Sequence, residues 1–413
     1  MPVTFQHKQL PNGLTVIAET DPEAHTAAVG FFVKTGARDE TPEVMGVSHF
    51  LEHMMFKGTA NRSAEDVNKE FDAIGASYNA YTSHEQTVYY GHVLPEMLPA
   101  AVDLFADMLR PALRTDDFDM EKKVILEEIG MYDDRPEWRL HDRLLEEHFV
   151  GHGLGYRVLG DNETVSAMTA EQMRGYFEQR YSPDNMVVSA AGRLDFDTLC
   201  SDIETRCGAW EATGAQRGYS EPAVDSKSIT IDDPKSSRHY LALLTPGPSA
   251  QDDDRYAAKV LADVLGDSDG SRLYWALVDP GHADEADFSV IPHDQAGTFM
   301  AYASCAPERA ERVEETLLAL LDAQVGDGFD ITATDVERAV NKLATRVTLQ
   351  GERPAGRMQA LGSQWNILGR RLPLEEQLAA LRAVTVADCR RLLERFPLTP
   401  RTVVRLRPVG ERD

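Results

Sequence analysis

Beyond residue 228 the order of elements in this chain starts again, and that internal repeat constrains the fold more than any other feature. Val29-Gly-Phe-Phe-Val-Lys-Thr35, followed by a helical pattern, matches Tyr240-Leu-Ala-Leu-Leu-Thr245, followed by another. Thr115-Asp-Asp-Phe-Asp-Met-Glu121 matches Thr332-Ala-Thr-Asp-Val-Glu337, each opening a further helix. Between the copies, residues 208–228 lose periodicity and gain Gly, Ser and Pro, as a linker does. The reading is an α+β fold of two similar modules, each an antiparallel-rich β-sheet with helices packed on one face. The first module spans 1–215, the linker 216–228 and the second module 229–413. With 413 residues in all, either half is long enough to bury its own core.

Local signals fill in the first module. Phe5 to Leu10, a Pro11-Asn12-Gly13 turn and Leu14 to Ala18 read as a hairpin. Residues 27–34 form an apolar run of strand length. Thr41-Pro42-Glu43 reads as a helix start, with Thr as cap and Pro at the first position. The helix is expected to continue to about Phe56, before Gly58. Residues 78–82 and 86–93 look like strands, and 118–133 like a helix.

Charge narrows the function. The net charge is −26. No basic footprint offsets phosphate repulsion, so the expected partners exclude nucleic acid and an anionic membrane. The same charge would concentrate cationic ligands, so basic residues in a substrate are expected. No signal peptide is seen at the N-terminus, and the four cysteines, Cys200, Cys207, Cys305 and Cys389, form no CxxC pair. The expected localisation is cytoplasmic, with reduced thiols.

The chemistry concentrates in His49-Phe50-Leu51-Glu52-His53 on the first of these helices. Positions 49 and 53 are one turn apart, so both imidazoles project from one face, and Glu52 lies on the same side. Two neutral nitrogen ligands with a carboxylate beside them are what a catalytic zinc site with a general base requires. The order inverts H-E-x-x-H, and the inverted form is itself a metallopeptidase signature. A third ligand is needed. Glu121-Lys-Lys-Val-Ile-Leu-Glu-Glu128 is helical, and Glu121 and Glu128 share a face about 10 Å apart along the axis, with Glu127 about 100° round. By charge pattern alone this segment reads as a solvated acidic face.

Gly46-Val-Ser-His-Phe-Leu-Glu-His-Met-Met-Phe-Lys-Gly-Thr59 resembles the signature of the pitrilysin/insulinase family of zinc peptidases, in its short-chain branch that includes the β subunit of mitochondrial processing peptidase. Asn79-Ala-Tyr-Thr-Ser-His-Glu-Gln-Thr-Val-Tyr-Tyr90 resembles that family's next block. The segment 121–128 resembles the block whose last Glu completes the zinc site, and 74 residues separate His53 from Glu128, as in the family. Tyr181-Ser-Pro-Asp-Asn-Met186 also fits, and 335–357 fits more loosely. The resemblance implies that His49, His53 and Glu128 bind one Zn2+ per chain, that Glu52 is the catalytic base and that Glu121 supports the ligands from behind. It also implies that Asn79 and Ala80 bind substrate, and that the chain is a zinc metalloendopeptidase hydrolysing flexible or unfolded peptides in a clamshell chamber. The rival reading is a non-catalytic scaffold subunit of the same fold, which would have lost these ligands. The repeat adds an independent reason for the catalytic reading. Aligning the copies sets Lys259, Ala262 and Asp263 against His49, Glu52 and His53, and Ala344 against Glu128, so the second copy is zinc-free.

Long members of the family carry four such modules and this chain has two, so the resemblance implies a homodimer, or a heterodimer with a zinc-free sister subunit. The family also draws an Arg and a Tyr from its zinc-free half. At the expected places stand Val278 and Asp284, so a sister subunit would supply them; in a homodimer the candidates are Arg272, Tyr274 and Tyr302. Gly151-His-Gly-Leu-Gly155 lacks the context of a phosphate loop, and residues 266–271 lack the remaining positions of a calcium loop.

Overall fold

The computed structural model describes residues 3–409. In chain order the first part runs β1 (Thr4–Gln9), β2 (Thr15–Thr20), β3 (Ala27–Val33), α1 (Val47–Met55), α2 (Ala64–Ala73), β4 (Ser77–Thr82) and β5 (Thr87–Val93). There follow α3 (Leu98–Met108), α4 (Thr115–Asp133), α5 (Pro136–His148), α6 (Asn162–Ala167), α7 (Ala170–Arg180), β6 (Met186–Gly192) and α8 (Phe196–Cys207). After a stretch without helix or strand come β7 (Lys227–Asp233), β8 (His239–Pro246), α9 (Arg255–Gly266), β9 (Glu285–His293) and β10 (Ala296–Cys305). The chain ends with α10 (Ala310–Asp322), α11 (Ala333–Gln350), α12 (Pro354–Leu368), α13 (Leu374–Ala383), α14 (Val386–Arg395) and β11 (Thr402–Pro408).

The strands form two sheets, ordered β1-β2-β6-β3-β5-β4 and β7-β11-β8-β10-β9. Each is antiparallel except for one pair: β2 runs parallel to β6, and β7 parallel to β11. From β2 onward the first order maps onto the second strand for strand, and the parallel pair falls at the same place. The two-module α+β reading is therefore the fold of the molecule.

The compact units are not contiguous in the chain. Of the described residues, one unit comprises 3–130, 156–218 and 349–372, and the other 131–155, 219–348 and 373–409. The contiguous boundaries expected from sequence, 1–215 and 229–413, thus miss an exchange: α5 belongs with the second sheet and α12 with the first. The exchange also adds to the expected single helical layer. In the first unit Val29, Phe31 and Val33 of β3 face the main core with Phe50 of α1 and Phe105 of α3. On the other sheet face, Ala28 and Phe32 pack with Met358 and Leu361 of α12. In the second unit Leu140, Leu144 and Leu145 of α5 cover Tyr240, Ala242 and Leu244 of β8 and Val404 and Leu406 of β11. A strand buried on both faces needs apolar residues at successive positions, not alternate ones. That is why β3 reads as an unbroken apolar run.

Candidate metal and catalytic site

The single helix expected from Thr41 to Phe56 is broken. A short turn of 3-10 helix covers Pro42–Val44, and α1 begins only at Val47, after Gly46 at φ 93°. A side chain is strained at that φ, and a Cβ there would lie 2.6 Å from the Leu159 carbonyl oxygen. The break frees the first amides of α1 for a carboxylate: Glu40 accepts from Gly46 N at 2.7 Å and from Ser48 N at 2.8 Å. An acid at a helix N-terminus satisfies otherwise unpaired donors and complements the dipole. Here burial outweighs those bonds and pushes the Glu40 pKa up to about 8. Ser48 and Thr35 share the Tyr176 hydroxyl, at 2.9 and 2.7 Å, and tie α1 to α7.

Helix α1 meets α4 through Phe50, stacked on Phe118 with ring centroids 4.7 Å apart. Along α4 the buried residues are Phe118, Glu121, Ile125 and Ile129, a stripe of helical period. A carboxylate inside an apolar stripe needs partners, and Glu121 has two. Its Oε1 meets His53 Nδ1 at 2.8 Å, and its Oε2 pairs with Lys57. Burial would raise the Glu121 pKa, but those two bonds outweigh it and hold the group below its ordinary value.

Glu128, one turn short of the end of α4, reaches toward both imidazoles. Its Oε2 lies 3.5 Å from His53 Nε2 and 3.9 Å from His49 Nε2. One donor atom from each of His49, His53 and Glu128 falls within 4.8 Å of the others. Donors around a tetrahedral zinc, at bond lengths of about 2.0–2.1 Å, stand about 3.3–3.4 Å apart. The donor set therefore fits a zinc ion with little rearrangement. At His49 protonation fits too. Burial, aided by the neighbouring His53, lowers the His49 pKa to about 3 and keeps that ring neutral. Burial also pulls His53 down, but its hydrogen bond to Glu121 and the charges of Glu128, Glu121 and Glu52 carry it above its ordinary value, so a metal at Nε2 has a proton to displace. With Nδ1 bonded to Glu121, His53 turns Nε2 toward Glu128, the arrangement that orients a metal-ligating imidazole.

Glu52 lies beside this group, and Thr82 of β4 donates to its Oε2 at 2.6 Å. Burial raises the Glu52 pKa, against the Thr82 bond and the His53 charge. Asn79 and Ala80 lie on β4, which among the described residues pairs only with β5 and forms the edge of its sheet. The Ala80 amide donates to Asn79 Oδ1 at 2.8 Å. The sequence reading gives Glu40, Lys57 and Thr82 no role in the site. Lys57 had a signal, lying four residues after His53, in the turn that follows α1. The other two did not, because their contacts join separate elements.

In the second unit the positions that mark the expected Arg and Tyr are otherwise engaged. Val278 closes a π-helical turn, Tyr274–Val278, and packs on that unit's core. Asp284 pairs with Arg238. Arg272 is held by Asp330 at 2.6 Å and Asp335 at 3.2 Å.

Two family models match the chain in succession. The model described as insulinase (peptidase family M16) matches residues 15–162, and that described as peptidase M16 inactive domain matches 167–343. An uncharacterised zinc protease of Bacillus subtilis is 33% identical over 91% of this chain and 91% of its own length. Another, of Mycobacterium bovis, is 36% identical over 92% of this chain and 87% of its own. A crystal structure of a protease from Helicobacter pylori superposes with a TM-score of 0.90 at 21% identity, covering 98% of this chain and all of that one. With both halves matched in order, and relatives more than 30% identical along nearly the whole length, the chain belongs to the insulinase family, peptidase family M16.

Proposed function

We propose that the chain is a zinc metalloendopeptidase acting on flexible or unfolded peptides, with one zinc per chain held by His49, His53 and Glu128. The observation that carries this reading is the convergence of those three donors within 4.8 Å, with Glu52 on the same helix face. Zinc bound there would supply Lewis acidity toward a scissile carbonyl and acidify water to a pKa of about 7 in well-tuned sites. Glu52 would take the proton at its carboxylate and pass it to the leaving amine. Burial already raises its pKa, which moves a carboxylate toward the range where it can both accept and release a proton. An extended peptide would pair with the open edge of β4 at Asn79 and Ala80, displacing the Asn79 side chain from the Ala80 amide. That mode reads backbone more than side chains, which suits unfolded substrates. Glu121 would support the site by orienting His53.

The test is metal analysis beside a peptide-library digest. Wild-type protein should carry about one zinc, His53→Ala should lose it, and Glu52→Gln should keep it without hydrolysis. Full zinc retention in His53→Ala, or hydrolysis by Glu52→Gln at the wild-type rate, would remove the assignment. On the same reading the chain works as a dimer, with itself or with a zinc-free sister subunit. Native mass and the rate of the protein purified alone separate the two. A fully active homodimer leaves no role for a sister, and a monomer removes the constitutive dimer.

A further inference from the structure

Thr82 ends β4, and its hydroxyl makes the one hydrogen bond that holds the Glu52 carboxylate among the described residues. At 2.6 Å it has the length of a charge-assisted O–H···O bond. A glutamate on a helix turns freely about its side-chain bonds, so a single strong donor decides where its oxygens lie. With Oε2 engaged, Oε1 is the oxygen left to accept a proton.

The residue that does this is itself held firmly. The turn after Thr82 closes on Ser83, whose amide donates to the Gln86 carbonyl at 2.9 Å. The loop after β3 lies directly against that turn. Ala37 N donates to Ser83 O at 3.2 Å and Arg38 N to His84 O at 2.8 Å. A Cβ on Gly36 would lie 2.2 Å from Ser83 O, so only glycine allows the approach. Buried charges fasten the same place. Arg38 pairs with Glu85 at 2.7 Å, their side chains 3% and 9% exposed. Arg217 bonds the Glu85 carbonyl and, with Arg180, grips Asp39 at 2.7–2.9 Å. Buried ion pairs contribute little net stability, yet breaking one leaves an unpaired buried charge, so they fix a geometry. None of these charged groups belongs to the candidate metal set. Their common effect is to fix the turn that carries Thr82.

We propose that Thr82 is a positioning residue that aims Glu52. This rests on the reading of Glu52 as the base. The aiming group lies on the edge strand proposed to carry the peptide, so base and substrate are registered by one element. Thr82→Val removes the hydroxyl at constant shape, Thr82→Ala removes it with less bulk, and Thr82→Ser keeps it. Zinc content should be unchanged in all three. In Thr82→Val and Thr82→Ala, kcat should fall about 10- to 100-fold, with KM little changed, and Thr82→Ser should recover most of the rate. Crystal structures should show the Glu52 carboxylate displaced or split between positions in Thr82→Val and in place in Thr82→Ser. A wild-type kcat in Thr82→Val, an unmoved Glu52 in its crystal structure, or a Thr82→Ser variant as slow as Thr82→Val would each overturn the proposal. Should the wild-type protein cleave no peptide, the reading of Glu52 fails, while the crystal comparison still decides whether Thr82 sets its position.

Discussion

At His53 one imidazole meets two carboxylates with different tasks. Glu121 takes Nδ1 at 2.8 Å from a buried position, and Glu128 faces Nε2 at 3.5 Å from a more open one. The same residue type, seven positions apart on α4, is a support in one case and a ligand candidate in the other. What separates them is depth along the α1–α4 contact. Glu121→Gln keeps the shape but removes the charge that orders His53 and Lys57. It should lower zinc affinity about 10- to 100-fold while the protein stays folded. Competition against a chelator of known affinity measures this, and an unchanged affinity would show that Glu121 has no part in the site.

Among the elements, α5 and α12 differ most from what their place in the chain implies. Each covers the sheet face that the main helical layer leaves open, and each carries polar groups into that contact. On α5, His148 is buried, with Nδ1 3.1 Å from Thr402 Oγ1 on β11 and Nε2 without a partner. Burial, aided by the Lys227 charge, lowers its pKa from 6.5 to about 4. The folded state thus binds fewer protons than the unfolded state between those values. Stability should be fully present above pH 6.5 and should fall as the pH drops toward 4. Denaturant unfolding across that range should show the slope, and His148→Gln, which can keep the Thr402 bond, should reduce it. An equal slope in the variant would mean that other groups cause the acid sensitivity.

At the scale of the molecule, the two units hold equivalent helix pairs by different means. In the first, α1 and α4 bring together His49, His53 and Glu128. In the second, α9 and α11 are joined by ion pairs: Arg346 to Asp263 at 2.9 Å and to Asp267, and Lys342 to Asp267 at 2.6 Å. Asp263 stands in the sequence repeat where His53 does. A metal that binds only the folded state stabilises it, by about 4 kcal/mol at a thousandfold excess over Kd. Removing it should therefore loosen the first unit alone. Hydrogen exchange with and without a chelator should show lost protection in α1 and α4 and none in α9 and α11. Equal loss in both pairs, or no loss in either, would contradict a metal clamp confined to the first unit.

The sequence by itself determined what is local or periodic. The His49–His53 spacing places ligands on one face because an α-helix has 3.6 residues per turn. The apolar run of β3 marks a buried strand, and the matching order of elements marks the repeat. The partnership of α4 with α1 was legible only through the resemblance of residues 121–128, since their charge pattern alone describes a solvated face. Tertiary structure decided the rest. The exchange of α5 and α12 leaves no local trace, because a helix with an apolar stripe fits either sheet equally well on pattern. The need for glycine at position 46 comes from the nearby Leu159 carbonyl, the capping of α1 from Glu40, and the aiming of Glu52 from Thr82, 30 residues further along the chain. The Leu159 and Thr82 contacts join groups remote in sequence and the Glu40 cap crosses a loop, and only packing brings such groups so close.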